Sequence, residues 1–194
     1  MNTMALEEKQ ISTKRIYDGK IVNLRVDTVL LPNGREALRE VIEHVGAVCV
    51  VPVMPDGTVY LVRQYRYPFA EAVLEIPAGK LDAGEQPVDA ANRELEEEIG
   101  MKASELIYMG EFRPSVAYDM EVIHMYLARG LVKTHQHLDE DEFLNIETYP
   151  LDQIHSMILD NQLTDGKTIA AVLKAKALLA RESGAQDEPQ AFGE

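Results

Sequence analysis

The stretch that decides the fold is Gly79–Met101, GKLDAGEQPVDAANRELEEEIGM. Its second half reads as a helix from about Pro87 to Ile99. Proline suits a first turn, where its missing N–H would have no partner, and Gly100 supplies the stop. At about 100° per residue, Val88, Ala91, Leu95 and Ile99 share one apolar stripe that can pack on a sheet. Glu94 and Glu98 sit one turn apart, about 40° round the helix, with Glu97 beside them. Three carboxylates on one side repel one another, by a few tenths of a kcal/mol per exposed pair, and lie where the helix dipole disfavours negative charge. A divalent cation reverses the problem, because hard cations take carboxylate oxygens as ligands. Arg93 can reach Glu97 one turn on, or Glu85 in the preceding loop, and hold the array. Ahead of the helix, Leu74-Glu75-Ile76-Pro77 is strand-like. Gly79 permits close backbone approach or unusual dihedrals, and Asp82-Ala83-Gly84 makes a turn. The unit is strand, tight loop, carboxylate-lined helix.

Working outward, Pro32-Asn33-Gly34 separates Lys20–Leu31 from Arg35–His44, and Pro55-Asp56-Gly57 separates Val45–Met54 from Thr58–Arg66. Ile21, Leu24, Val26 and Val29 roughly alternate with polar residues, as in a half-buried strand, whereas Val45–Met54 is nearly all apolar, as in a central one. Further strand-like runs are Ala72–Ile76, Glu105–Phe112, Glu121–Ala128 and Phe143–Tyr149. Two more helices are expected at Leu151–Leu159 and from about Gly166 to Arg181. Strands with interspersed helices predict an α/β layered domain, with helices on both faces of a mixed sheet. The chain divides into a strand and hairpin region over 1–44, a main domain over 45–182 and a flexible tail over 183–194.

Composition narrows the function. The 194 residues carry 19 Lys+Arg against 33 Asp+Glu, a formal charge of −14, with 46% hydrophobic residues. That is ample for one packed domain and unlike a disordered chain. So acidic a surface is repelled by phosphate backbones and anionic lipid, which argues against nucleic-acid and membrane partners. One cysteine, Cys49, excludes an internal disulfide framework and Cys-rich zinc sites, and its apolar run marks it as core. His135 and His137 have no further ligands of a zinc site nearby. The charged N-terminus and the absence of any ~20-residue apolar run predict a soluble, cytoplasmic protein.

The pattern Gly79, Glu85, Arg93, Glu94, Glu97, Glu98 and Gly100 fixes seven identities. With each residue type near 7% of composition, chance agreement is on the order of 10⁻⁸ per start position. The chain resembles a Nudix hydrolase, with every fixed position of the Nudix box present. The resemblance implies an α/β/α sandwich with an N-terminal β-hairpin extension. It also implies hydrolysis of a nucleoside diphosphate linked to another group, with Mg²⁺ as cofactor and Mn²⁺ as a substitute. By position, Glu94, Glu98 and the Ala78 carbonyl are metal ligands, Glu97 serves a second metal, and Arg93 and Glu85 are braces.

The likeness runs over roughly Tyr17 to Leu179 and is greatest to the ADP-ribose pyrophosphatase branch, whose members are homodimers. It implies substrate contacts for Arg39, Glu40, Arg66 and Glu121, with Arg39 and Glu40 reaching across from the partner subunit. In the acidic loop Asp139-Glu140-Asp141-Glu142 it maps the general base to Glu140 and a further metal contact to Glu142, two residues hard to separate. The chain departs from the branch after the box, where Ser-Pro-Gly is usual: Val116 and Ala117 stand for the proline and glycine, and Pro114 lies two residues early. ADP-ribose is the leading substrate, with GDP-mannose, another nucleotide sugar or a dinucleotide open. A sensing module that binds without turnover would be expected to have lost box carboxylates, and none is lost.

Overall fold

The computed structural model describes residues 6–184. Strand β1 (Lys9–Asp18), β2 (Asn23–Leu30) and β3 (Glu36–Glu43) form an antiparallel N-terminal sheet in that order. Then come β4 (Ala47–Pro52), β5 (Thr58–Arg66), β6 (Glu71–Glu75), β7 (Ala78–Lys80), α1 (Pro87–Ile99), β8 (Met101–Phe112), β9 (Ile123–Lys133), β10 (Leu144–Pro150), α2 (Leu151–Leu159) and α3 (Gly166–Glu182). Two further sheets have the orders β7-β4-β9-β8 and β10-β5-β6. The first is mixed, because β4 runs parallel to β9 and antiparallel to β7.

The core shows why this is a sandwich. On β4, Val48 and Val50 join Ala90, Ala91, Leu95 and Ile99 of α1 in one apolar cluster. Their neighbours Cys49 and Val51 point the other way, joining Ile154 of α2 and Ala171, Val172 and Ala175 of α3. A strand apolar on both faces is buried on both, so the nearly unbroken run read from sequence becomes the middle layer between helices. Burial pushes the Cys49 thiol up to about 12, which leaves it as inert packing.

Helix α1 begins after Gln86, with Pro87 in its first turn, and closes at Gly100, whose φ of 63° is left-handed. A side chain at Gly100 would meet the Gln136 backbone, so the glycine is needed for approach as well as for dihedral. The apolar stripe differs from expectation at its start. Val88 is 43% exposed and Ala90 is buried in its place. Two elements carried little sequence signal: β1 is exposed along its whole length, and β7 has only three residues. The flexible tail expected over 183–194 lies, from residue 185 on, outside the described residues.

Leu95 is fully buried between α1 and the sheet. Leu95→Ala should destabilise the protein by about 2–5 kcal/mol, read as a lower urea midpoint at unchanged m-value.

Candidate active site

The box folds into a compact cluster because α1 lies against the loop that precedes it. Glu94 and Glu98 are 8% and 3% exposed, and the Ala78 N–H donates to Glu98 Oε2 at 3.2 Å. A Cβ at Gly79 would overlap the Glu94 carboxylate, so close approach is what this glycine provides. Arg93 ties the unit together. It donates from Nε to Glu85 Oε1 at 2.9 Å, from Nη1 to Glu94 Oε1 at 2.7 Å and Glu97 Oε2 at 2.8 Å, and from Nη2 to the Lys80 carbonyl at 3.0 Å. Both braces expected for Arg93 are therefore made at once.

The polar stretch around His135 and His137 has a local job. His137 N–H donates to the Glu97 carbonyl, Gln136 Nε2 to the Glu98 carbonyl and Thr134 N–H to the Gly100 carbonyl. These bonds satisfy carbonyls that the end of α1 leaves unpaired. They also lead the acidic loop back to the cluster. There Glu142 is half-buried, accepts from Gln64 Nε2 at 3.4 Å and adds its charge to the field felt by Glu94 and Glu98. Glu140 is exposed in the turn beside Asp141. The structure brings Glu142, and not Glu140, to the carboxylates.

The electrostatics are those of a site short of positive charge. Burial, then Glu97 and Glu142, push the Glu94 carboxyl up to about 7 despite Arg93, and burial with Glu94 raises Glu98 well above the usual range. Among the described residues, no three acidic, histidine or cysteine side chains converge closely enough to close a metal shell unaided. A hard cation keeping waters and substrate oxygens needs no such closure. Two buried carboxylates held against the Ala78–Gly79 backbone are an oxygen donor set that fits a divalent ion.

Beside the cluster is a cleft of about 450 Å³, bordered by Ala78, Gly79, Arg66, Glu121, Pro114 and Lys167. Arg66 reaches it from the end of β5, held by bonds from Nε and Nη2 to Glu75 at 2.6 and 2.8 Å. Glu121 sits at its mouth, 3.7 Å from His44 Nε2. Pro114 lines the cleft although it lies two residues earlier than the expected loop proline. Arg39 and Glu40 are elsewhere within this chain: Arg39 pairs with Glu8, and Glu40 is exposed. The sequence reading missed Lys167. It lies near the start of α3, buried against Glu75 and Asp165, and only the pairing of β6 with the α3 N-terminus makes it visible.

Comparisons with known proteins show the family. Residues 43–172 match the NUDIX domain, and residues 8–42 match the Nucleoside diphosphate sugar hydrolase N-terminal domain. The chain belongs to the Nudix family and is a hydrolase acting on phosphoric anhydrides. It is 42% identical to the methanol dehydrogenase activator of Bacillus methanolicus, over 86% of this chain and 91% of that one. It is 39% identical to the ADP-ribose pyrophosphatase of Bacillus subtilis, over 87% and 92%, and 34% identical to that of Mycobacterium tuberculosis, over 87% and 83%. A crystal structure of an ADP compounds hydrolase superposes with a TM-score of 0.83 at 22% identity, covering 95% of this chain and all of that one, which shows the shared fold. No helix among the described residues is long and apolar enough to cross a membrane.

A raised carboxyl gives a signed pH effect. Between its ordinary value of 4.5 and about 7, Glu94 holds a proton in the folded state that the unfolded chain has lost, so metal-free stability falls as pH rises through this window. Depressed carboxylates such as Glu75 titrate below it. Mg²⁺ must displace the Glu94 proton, so its thermal stabilisation should be several-fold larger at about pH 8 than at about pH 5.5. Equal shifts at both pH values would contradict the electrostatics described.

Proposed function

We propose that the protein hydrolyses ADP-ribose to AMP and ribose 5-phosphate with Mg²⁺ as cofactor. One observation carries the reading: Glu94 and Glu98 are buried side by side against Ala78 and Gly79, next to a cleft that presents Arg66. The ADP-ribose pyrophosphatases named above, matched over most of their length, support the substrate.

In this reading Glu94, Glu98 and the Ala78 carbonyl hold the cation, with Glu97 and Glu142 beside it. When bound, the cation neutralises the diphosphate oxygens and lowers the pKa of water. Arg66 binds a phosphate of the anhydride through a charge-assisted hydrogen bond. Water attacks phosphorus, its proton passes to a carboxylate, and the anhydride P–O bond breaks. Of the two acidic-loop candidates, Glu142 stands beside the cluster and its carboxyl is raised by burial and Asp139, which suits a proton acceptor better than exposed Glu140. Glu121, which lines the cleft, is a further substrate contact in this reading.

GDP-mannose is the second reading. It is favoured by the Val116-Ala117 departure in the loop next to Pro114, and a GDP-mannose pyrophosphatase of Yersinia enterocolitica is 31% identical over 69% of this chain. An assay of both sugars with Mg²⁺ and Mn²⁺ should give cation-dependent release, fastest with ADP-ribose. Glu98→Gln should cut turnover by about two orders of magnitude or more and leave the metal-free fold as stable as before or more so. Cation-independent activity, or full activity in that variant, would overturn the reading.

We also propose a homodimer built through residues 1–44 as a unit distinct from 45–182, in the cytoplasm. The support is the N-terminal sheet. Ile11, Ile16, Tyr17 and Leu38 are each about half exposed or more, and the sheet joins the main domain through a short bridge, Ile42 N–H to the Tyr118 carbonyl and Met120 N–H to the Ile42 carbonyl. Exposed apolar side chains on this sheet support an interface between two copies. In this reading Arg39 and Glu40 of each chain contact the substrate in the partner's cleft. Sedimentation equilibrium should return twice the 21.7 kDa chain mass, and removing residues 1–44 should return a monomer.

A further inference from the structure

Arg66 is held by a carboxylate that would, alone, cancel its charge. Glu75 is 3% exposed and accepts both Arg66 bonds, and a guanidinium paired bidentately with one carboxylate has little field left for a phosphate. Glu75 has a second cation. Lys167 Nζ donates to Glu75 Oε2, the same oxygen that accepts from Arg66 Nη2, and its side chain is 14% exposed. Lys167 also donates to Asp165 Oδ2 at 3.0 Å, but that carboxylate is engaged elsewhere. It caps α3, accepting from Thr168 N–H at 3.0 Å and from Thr168 Oγ1, at the helix end where the dipole favours negative charge.

The same turn is fixed to the site. Thr168 Oγ1 accepts from Ile76 N–H at 2.9 Å, two residues before Ala78. Lys167 borders the 450 Å³ cleft and a second of about 400 Å³, and Arg66 forms part of the wall between them.

We propose that Lys167 is a positioning residue for hydrolysis: it neutralises Glu75, so that Glu75 aims the Arg66 guanidinium into the cleft while its positive charge stays available to the diphosphate. This rests on the nucleoside diphosphate sugar reading above. Glu75 is held below the usual carboxylate range even though burial opposes its ionisation, because Arg66 and Lys167 together outweigh the burial. Without Lys167, Arg66 and Glu75 form a closed neutral pair. With it, Arg66, Lys167, Glu75 and Asp165 sum to zero; without it they carry one net negative charge beside the cleft, so Lys167 keeps the Arg66 side of the wall from turning negative. Lys167 acts on binding through Arg66 and needs no contact with the reacting atoms.

The test uses the full chain and whichever nucleoside diphosphate sugar the wild type cleaves fastest. Lys167→Met should raise KM about tenfold while kcat falls less than about threefold, and Lys167→Arg should recover most of the loss. The distinguishing variant adds Glu75→Gln to Lys167→Met. Removing the charge that Lys167 neutralised should bring KM back toward the wild-type value, because an amide oxygen still accepts from Arg66. A purely structural lysine predicts the opposite, with the second substitution adding to the first. Folded Lys167→Met with wild-type KM, or a double variant worse than the single one, overturns the proposal. Lys167→Gln is a second neutral substitution, and loss of folding in both assigns Lys167 to the fold and overturns it too. A wild type inactive on every nucleoside diphosphate sugar removes the underlying reading, whereas an active wild type with unshifted variants removes this inference alone.

Discussion

Everything in the site depends on two carboxylates placed where carboxylates are costly. Glu94 and Glu98 are buried one turn apart, against a backbone so close at Gly79 that a methyl group would displace one of them. One guanidinium, Arg93, reaches three carboxylates and a carbonyl, and the cluster is still short of positive charge. Isolated buried charges either find partners or take up protons. Here they do some of each, and a divalent cation with a diphosphate is the partner that would resolve the remainder.

The architecture supplies what the cluster cannot supply for itself. The middle strand β4, apolar on both faces, lets α1 pack on one side and α2 with α3 on the other, so elements distant in sequence meet at one edge. From α1 come the carboxylates, from β5 Arg66, and from the start of α3 Lys167. The stretch 134–137 closes the end of α1 and returns the acidic loop to it. A hydrogen bond from backbone to side chain, Ile76 N–H to Thr168 Oγ1, joins the first turn of α3 to the loop that carries Ala78 and Gly79.

How much of this was legible beforehand follows from the range of each interaction. Helix α1 and its carboxylates were readable because proline, glycine and the 3.6-residue repeat are local signals, and Arg93 met the partners its spacing allowed. Strand β1 was not, since a strand exposed throughout has no apolar alternation to read, and neither was β7, which exists only as a short pairing with β4. Lys167 looked like any lysine at a helix start, because its partner Glu75 lies 92 residues away. Glu140 and Glu142 were indistinguishable by composition and differ only through the fold, which turns one to solvent and the other to Gln64. Arg39 and Glu40 are adjacent strand residues on opposite faces of β3, and no sequence rule says what covers either face.

The central claim is that the Glu94–Glu98 pair exists to grip a divalent ion against a diphosphate. The most direct measurement is a crystal structure of the protein with Mn²⁺ and a non-hydrolysable methylene analogue of ADP-ribose, read by anomalous scattering. The account predicts a manganese peak within coordination distance of Glu94, Glu98 and the Ala78 carbonyl, with the analogue's phosphonate oxygens completing the shell. An analogue bound in the cleft with no metal peak at these carboxylates would contradict it.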